Sequence, residues 1–159
     1  MKFLFAFLAI LIFTSAPAQQ IPALSADAII AHTSSKDTLY IINFWATWCA
    51  PCVGELAEFN TLKRKYANKP VRILMVSLDF KEDYPDKLAR FVERQQLTPE
   101  VAWLSDTDPN VFIPKIDNTW QGSIPATVIV HPGKGFKRFI EGTITVKQVS
   151  GIVDRVLVE

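Results

Sequence analysis

Cysteine is scarce in this chain. Two occur in 159 residues, Cys49 and Cys52, with only Ala50 and Pro51 between them. That count excludes the multi-bridge framework that holds many small exported domains together. Histidine is equally rare, with His32 and His131 alone. A closed zinc site built on the two cysteines would need both histidines, because there is no second cysteine pair. Neither sign of charge is in excess: Lys+Arg number 17, Asp+Glu number 16, and the formal net charge is +1. The densest basic run, Lys63-Arg64-Lys65, reads as a solvated helix face. Nucleic-acid affinity comes mainly from clustered Lys and Arg, so nucleic acid is not expected as a partner. Internal repeats and low-complexity segments are missing, and the length suits one ordinary domain.

Bulky apolar material is plentiful. Hydrophobic residues make up 49%, with Phe 11, Trp 4 and Tyr 3. A chain of this size can therefore bury a core without covalent staples. The apolar run Phe3 to Phe13 follows Met1-Lys2 and precedes Thr14-Ser15-Ala16-Pro17-Ala18. A positive start, a short apolar stretch and an Ala-x-Ala ending form the pattern of a secretory signal peptide. The run is well short of the roughly 20 apolar residues needed to span a bilayer. Residues 1–18 are accordingly read as a signal peptide and residues 19–159 as the working domain, exported to the periplasm or another extracytoplasmic space. An uncleaved membrane anchor is the competing reading. No cysteine adjoins Ala18, so a lipid-modified N-terminus is unsupported.

Periodicity predicts a mixed α/β order. Ser25 caps a short helix carrying Ile29 and Ile30. Leu39 to Trp45 is nearly continuous apolar sequence, suited to a central strand covered on both faces. A helix follows from about Ala50 to Tyr66, with Leu56, Phe59 and Leu62 on one face, and Val71 to Leu78 forms a second buried strand. The stretch from Leu78 to Gly122 is longer than one crossover needs. It is expected to hold a helix over Asp86 to Gln96, a strand at Val101 to Leu104, and a short helix capped by Asp108 that Pro114 interrupts. Ala126 to Val130 and Phe136 to Glu141 form a closing hairpin around His131 to Gly135. Thr145 and Gln148 make a capping box for the last helix.

The chemistry-bearing feature is Trp48-Cys49-Ala50-Pro51-Cys52, where an apolar strand turns into a helix. A helix N-terminus offers free N–H groups and partial positive charge. A cysteine at the cap is thereby favoured as thiolate, its pKa lowered. Cys52, one turn on, is close enough to bridge it, and Pro51 is tolerated where helical N–H groups lack partners anyway. With nothing else to pair with, the two cysteines bridge each other or stay free. A bridge closing so small a loop removes little unfolded-chain entropy, so reactivity explains it better than stapling. Half of a zinc site and an inert bridge are the alternatives.

Phe44-Trp45-Ala46-Thr47-Trp48-Cys49-Ala50-Pro51-Cys52 resembles the active-site segment of the thioredoxin superfamily. More narrowly, the chain resembles the TlpA/ResA type of extracytoplasmic thiol–disulfide oxidoreductase. The likeness extends to Glu55 and to Gly122-Ser123-Ile124-Pro125-Ala126-Thr127. It implies a thioredoxin-like fold, with a mixed central sheet flanked by helices and an αβ insert before a cis-proline loop. Pro125 matches the cis-proline, which leaves the backbone of Ile124 free to pair with an extended substrate. Trp48, Ala50 and Pro51 complete the expected substrate-binding set. Cys49 is the implied nucleophile and Cys52 the resolving thiol. Glu55, one turn beyond Cys52, is the implied proton carrier, a duty that Asn43 cannot perform because an amide does not titrate. Trp45 is expected beneath the loop, and Trp120 in packing. One departure concerns the N-terminus, which looks too short for the extra strands many members carry.

The resemblance implies reduction of disulfides in exported proteins, apocytochrome c among the candidates. A membrane thiol-reductant donor would supply the electrons, with no cofactor or metal beyond the cysteine pair. A disulfide oxidase or isomerase is the nearest rival, since tens of millivolts decide direction. A thioredoxin-fold binding module is the non-enzymatic one. Peroxide reduction fits poorly, because Thr47 is only two residues before Cys49 and the nearest preceding proline is Pro22.

Overall fold

Residues 20–158 are described by the structure, a computed structural model; the segment read as a signal peptide, 1–18, lies outside the described residues. The strands are β1 (Ala23–Leu24), β2 (Leu39–Trp45), β3 (Val71–Ser77), β4 (Glu100–Leu104), β5 (Ala126–His131) and β6 (Phe136–Glu141). The helices are α1 (Ala26–His32), α2 (Ala50–Lys65), α3 (Asp86–Arg94), α4 (Pro109–Ile116) and α5 (Val146–Val158). The strands form one sheet in the order β1-β4-β3-β2-β5-β6. Its first half is parallel, with β1 on β4, β4 on β3 and β3 on β2. The last two pairings, β2 with β5 and β5 with β6, are antiparallel.

The central strand dictates the layering. Every residue of β2 is buried, and successive side chains point to opposite faces. Leu39, Ile41 and Trp45 enter one core, with Leu56, Phe59 and Leu62 of α2, Leu88 and Val92 of α3, and Val149, Val153 and Val156 of α5. Tyr40, Ile42 and Phe44 enter the other, with Ala26 and Ile29 of α1, Phe112 and Ile116 of α4, and Trp120. Asn43 shares the parity of Ile41 and Trp45, so the sheet aims its amide toward α2. The mixed α/β sheet with helices on both faces is therefore as the element order predicts.

Two expectations need correction. The sheet's leading edge is completed by β1, absent from the predicted order. Trp103 N donates to Pro22 O (2.9 Å) and Ser105 N to Leu24 O (2.9 Å). A two-residue strand carries no periodicity, which is why the sequence does not announce it. Pro114 does not interrupt α4, which runs on to Ile116. Proline removes one bond, to the carbonyl four residues back, and that residue, Asn110, is exposed. The proline therefore falls on the solvent side of a short surface helix, where the loss of one bond is tolerated. The remaining caps form: Ser25 Oγ accepts from Ala28 N (3.2 Å) and Thr145 Oγ1 from Gln148 N (3.2 Å). The Lys63-Arg64-Lys65 run is exposed.

Phe59 has no exposed surface and sits in the α2-side core. Its replacement by alanine leaves a cavity that rigid neighbours fill only in part. Phe59→Ala is expected to lower unfolding free energy by about 3–5 kcal/mol, measured by urea denaturation of the oxidised protein.

Candidate active site

The loop leaving β2 delivers Cys49 to the N-cap of α2. Its backbone is extended (φ −88°, ψ 99°), and its Sγ accepts from Cys52 N at 3.3 Å. Val53 N donates to Cys49 O at 3.0 Å, the first bond of the helix. A sulfur thus occupies the place a serine or aspartate oxygen takes at ordinary caps. Cys49 and Cys52 are joined as a disulfide, with Cα atoms 5.3 Å apart. The two sulfurs differ in access: Cys49 keeps 6% of its surface and Cys52 none. What exposure the pair keeps is therefore on the Cys49 side. Ala50 and Pro51 are exposed beside it.

The loop is fixed by a buried carboxylate that sequence reading did not single out. Asp79, just past β3, accepts from Thr47 N (3.1 and 3.2 Å), Thr47 Oγ1 (2.6 Å) and Ser77 Oγ (2.7 Å). Its own carbonyl accepts from Trp103 Nε1 at 2.8 Å. Charged acceptors make the stronger hydrogen bonds, so this one residue ties the loop before Cys49 to β3 and β4. The signal was present as Ser77-Leu78-Asp79, polar groups at the end of an otherwise apolar strand.

Behind the disulfide lies a polar pocket within the core. Glu55 is 4% exposed. Its Oε1 accepts from Asn43 Nδ2 at 3.0 Å, and its Oε2 from Ile144 N at 2.7 Å. Asn43 Nδ2 also lies 3.1 Å from Thr127 Oγ1 and 3.4 Å from Ala126 O, so one amide links α2 to the strand that follows Pro125. Burial pushes the Glu55 carboxyl above its ordinary range. The Ile144 N–H and the Asn43 amide pull the other way without cancelling it, and Glu58 on the same helix adds a small push upward. Glu58 in turn accepts from Val146 N at 2.6 Å, so two α2 carboxylates dock the entry to α5.

The Ile124–Pro125 peptide bond is cis, as is Tyr84–Pro85, which the sequence did not reveal. Pro125 is buried and Ile124 half-buried, with Ile124 O 3.7 Å from Cys49 Sγ. Trp120 is buried and its Nε1 donates to Ser123 O at 2.8 Å, fixing the approach to that loop. Trp45 is fully buried against Phe91, with ring centroids 5.8 Å apart. Trp48 is 55% exposed and stacks on Phe80. The structure therefore gathers Trp48, Cys49, Cys52, Glu55, Ile124 and Pro125 around one point at the end of β2. His32 is elsewhere, 3.1 Å from Glu100, and His131 is buried at the end of β5. Among the described residues, no group of three or more His, Cys, Asp or Glu is placed to hold a metal ion.

A carboxyl whose folded pKa is raised contributes stability below its unfolded value and loses that contribution as pH climbs through the folded one. Wild-type protein should therefore weaken relative to Glu55→Gln as pH rises from about 4, the ordinary carboxylate value, toward neutrality. Urea denaturation of both proteins across that range is the check. Parallel curves would mean that Glu55 titrates as an ordinary surface acid.

Known proteins share this architecture. The sequence profile of the AhpC/TSA family matches residues 13–134. The thiol-disulfide oxidoreductase ResA of Oceanobacillus iheyensis is 30% identical over 72% of this chain and 55% of its own length. ResA of Geobacillus kaustophilus is 32% identical over 68% of this chain and 57% of its own. The chain thus spans little more than half the length of these relatives. Among solved structures, a thioredoxin-related protein from Neisseria meningitidis superposes with a TM-score of 0.67 at 23% identity, covering 79% of this chain and 90% of that one. StoA from Bacillus subtilis superposes at 0.60 and 22% identity, over 75% and 84%. A cysteine-capped helix beside a cis-proline loop, on a sheet of this order, belongs with them: the chain is a member of the AhpC/TSA family and a thioredoxin-superfamily protein of the ResA/TlpA type.

Proposed function

We propose that this protein is a thiol–disulfide oxidoreductase working outside the cytoplasm and reducing disulfides of exported proteins. The observation that carries the reading is the disulfide itself: one sulfur at the mouth of a helix N-terminus, the other sealed behind it. In the reduced protein the Cys49 thiolate attacks one sulfur of a partner's disulfide. That S–S bond breaks, a Cys49–partner bond forms, and the partner's other sulfur leaves as thiolate. Cys52 then loses its proton and attacks Cys49. The Cys49–Cys52 bond closes and the partner's second sulfur departs, so two electrons have passed to the partner.

Each neighbour has a physical part in this sequence. The N–H groups of α2 stabilise the Cys49 anion, as Cys52 N already does toward the sulfur. Glu55, one turn from Cys52 and with raised proton affinity, is suited to take that thiol's proton. Asn43 holds Glu55 and cannot substitute for it. Ile124 presents backbone to an extended partner chain, and Trp48, Ala50 and Pro51 form the surface around the reacting sulfur. Thr47 is committed to Asp79, which favours disulfide exchange over peroxide chemistry.

Export is supported by the pattern of residues 1–18, with a retained anchor as its alternative. Among the described residues no helix is long and apolar enough to cross a membrane. Disulfide-containing exported proteins, apocytochrome c included, are the partner class, and a membrane dithiol donor would restore the reduced state. Ala50-Pro51 adds no charge to stabilise the thiolate further, which favours the reducing direction over oxidase or isomerase work. About 30 mV in potential is worth a tenfold change in equilibrium for this two-electron couple, so a measured potential separates these roles.

Cys49→Ser should abolish reduction of insulin disulfides, followed by turbidity with a dithiol as electron source. Cys52→Ser should instead accumulate mixed disulfides through Cys49, visible as reductant-sensitive adducts by non-reducing electrophoresis and mass spectrometry. Native activity in Cys49→Ser would sink the assignment.

A further inference from the structure

The aromatic stack beside Cys49 is unlike the rest of the surface. Among the described residues the large exposed hydrophobics are Ile30, Trp48, Phe80, Val111 and Val158. Trp48 and Phe80 are 55% and 62% exposed, yet their rings stack with centroids 5.9 Å apart and planes 21° from parallel. Two adjoining aromatic rings left in water form an apolar patch of the kind that marks interaction sites.

Phe80 is also held from both sides. The residue before it is Asp79, buried and bonded to Thr47 and Ser77. After it, Asp83 N donates to Phe80 O at 2.9 Å. Tyr84 stacks on Trp103 at 4.5 Å, and its hydroxyl donates to Ile21 O at 2.9 Å. The ring therefore stands on a preorganised turn, and a partner loses little freedom of the protein by using it.

Beyond the stack opens a cleft of about 440 Å³, with Leu78, Leu104 and Phe112 among its lining. Much of this wall belongs to the segment between β3 and β5. Its charged rim holds Glu82 and Asp106 against Lys81. Trp48 is shared: it lines the cleft and is bonded to Cys49.

We propose that this cleft is the side-chain subsite of the redox centre, receiving an aromatic or large aliphatic residue of the substrate polypeptide close to its disulfide cysteine. The inference deepens the exchange reading above and rests on it for the identity of the partner. A chain joined by sulfur to Cys49 passes over Trp48 on one flank and along Ile124 on the other. An extended chain advances about 3.3–3.6 Å per residue, and alternate side chains face the same way. The residue two positions from the cysteine is thus the one directed into the cleft. The acidic rim prefers a basic neighbour to an acidic one.

Two synthetic peptides test this, identical except for Phe or Ser two positions from the reactive site. In a redox-inert version serine replaces the cysteine. Each is titrated into the oxidised full-length protein and followed by tryptophan fluorescence. The Phe peptide should bind about tenfold more tightly, the scale of a good aromatic contact. Phe80→Ala should reduce that preference to about twofold or less, and Phe80→Tyr should retain it. Equal affinity for the two peptides, a preference untouched by Phe80→Ala, or self-association of the protein through this face would overturn the proposal. Disulfide versions of the peptides then report turnover, where the same ratio should appear in KM. Binding preference without reduction would leave the subsite standing and defeat the oxidoreductase reading instead.

Discussion

A sulfur atom at the N-cap of α2 is the interaction on which the rest of the molecule depends. Ordinary helices place a hydroxyl or carboxylate oxygen there to satisfy free N–H groups. Here Cys49 Sγ accepts from Cys52 N, so the same device that starts the helix also lowers the cost of a sulfur anion. Position matters more than composition. One residue earlier, the sulfur would leave the reach of the first-turn N–H groups. One residue later, it would stand inside the helix and no longer cap its first N–H groups. The anchoring of Thr47 by Asp79 and the full burial of β2 set that position.

Polar groups inside this core are costly, and their arrangement shows how the cost is contained. An unpaired buried carboxylate loses several kcal/mol of hydration. Glu55 meets Asn43 and the Ile144 backbone, one donor to each oxygen, supplied by elements distant in the chain. Burial nevertheless outweighs these donors and leaves the acid with raised proton affinity. A raised proton affinity beside Cys52 on the same helix suits the proton-carrier role proposed above.

Most of the architecture is legible in the residues. The apolar run of β2 announces a strand covered on both faces, and α2 shows its inward stripe in Leu56, Phe59 and Leu62. The cysteine spacing at the junction names the chemistry, and Ile124-Pro125 suggests the loop opposite it. What escapes is non-local. Strand β1 has too few residues for a pattern, and α4 carries Pro114 without ending there. Asp79 escapes because its partners Thr47 and Trp103 lie far from it in the chain. Phe80 carries no sequence signal of its own, and its exposure and its stack on Trp48 emerge only in the fold.

On the exchange reading proposed above, the two flanks of Cys49 would read different properties of a partner. Along Ile124 the proposed contact would be backbone to backbone, which any extended chain can make, so that side would accept many sequences and supply orientation. Against Trp48 and Phe80 the contact is with a side chain, and its strength varies with what that side chain is. A site with the first flank alone would exchange indiscriminately with exposed disulfides. One with the second alone would bind apolar peptides without aligning their sulfur for attack. The segment between β3 and β5 reaches the sulfur's surroundings only at its two ends, through Asp79 and Ile124-Pro125, while Phe80 to Phe112 builds much of the cleft wall. Variation among the cleft residues between Phe80 and Phe112 could therefore retune partner choice while the helix cap, Glu55, Asp79 and the proline loop stay as they are.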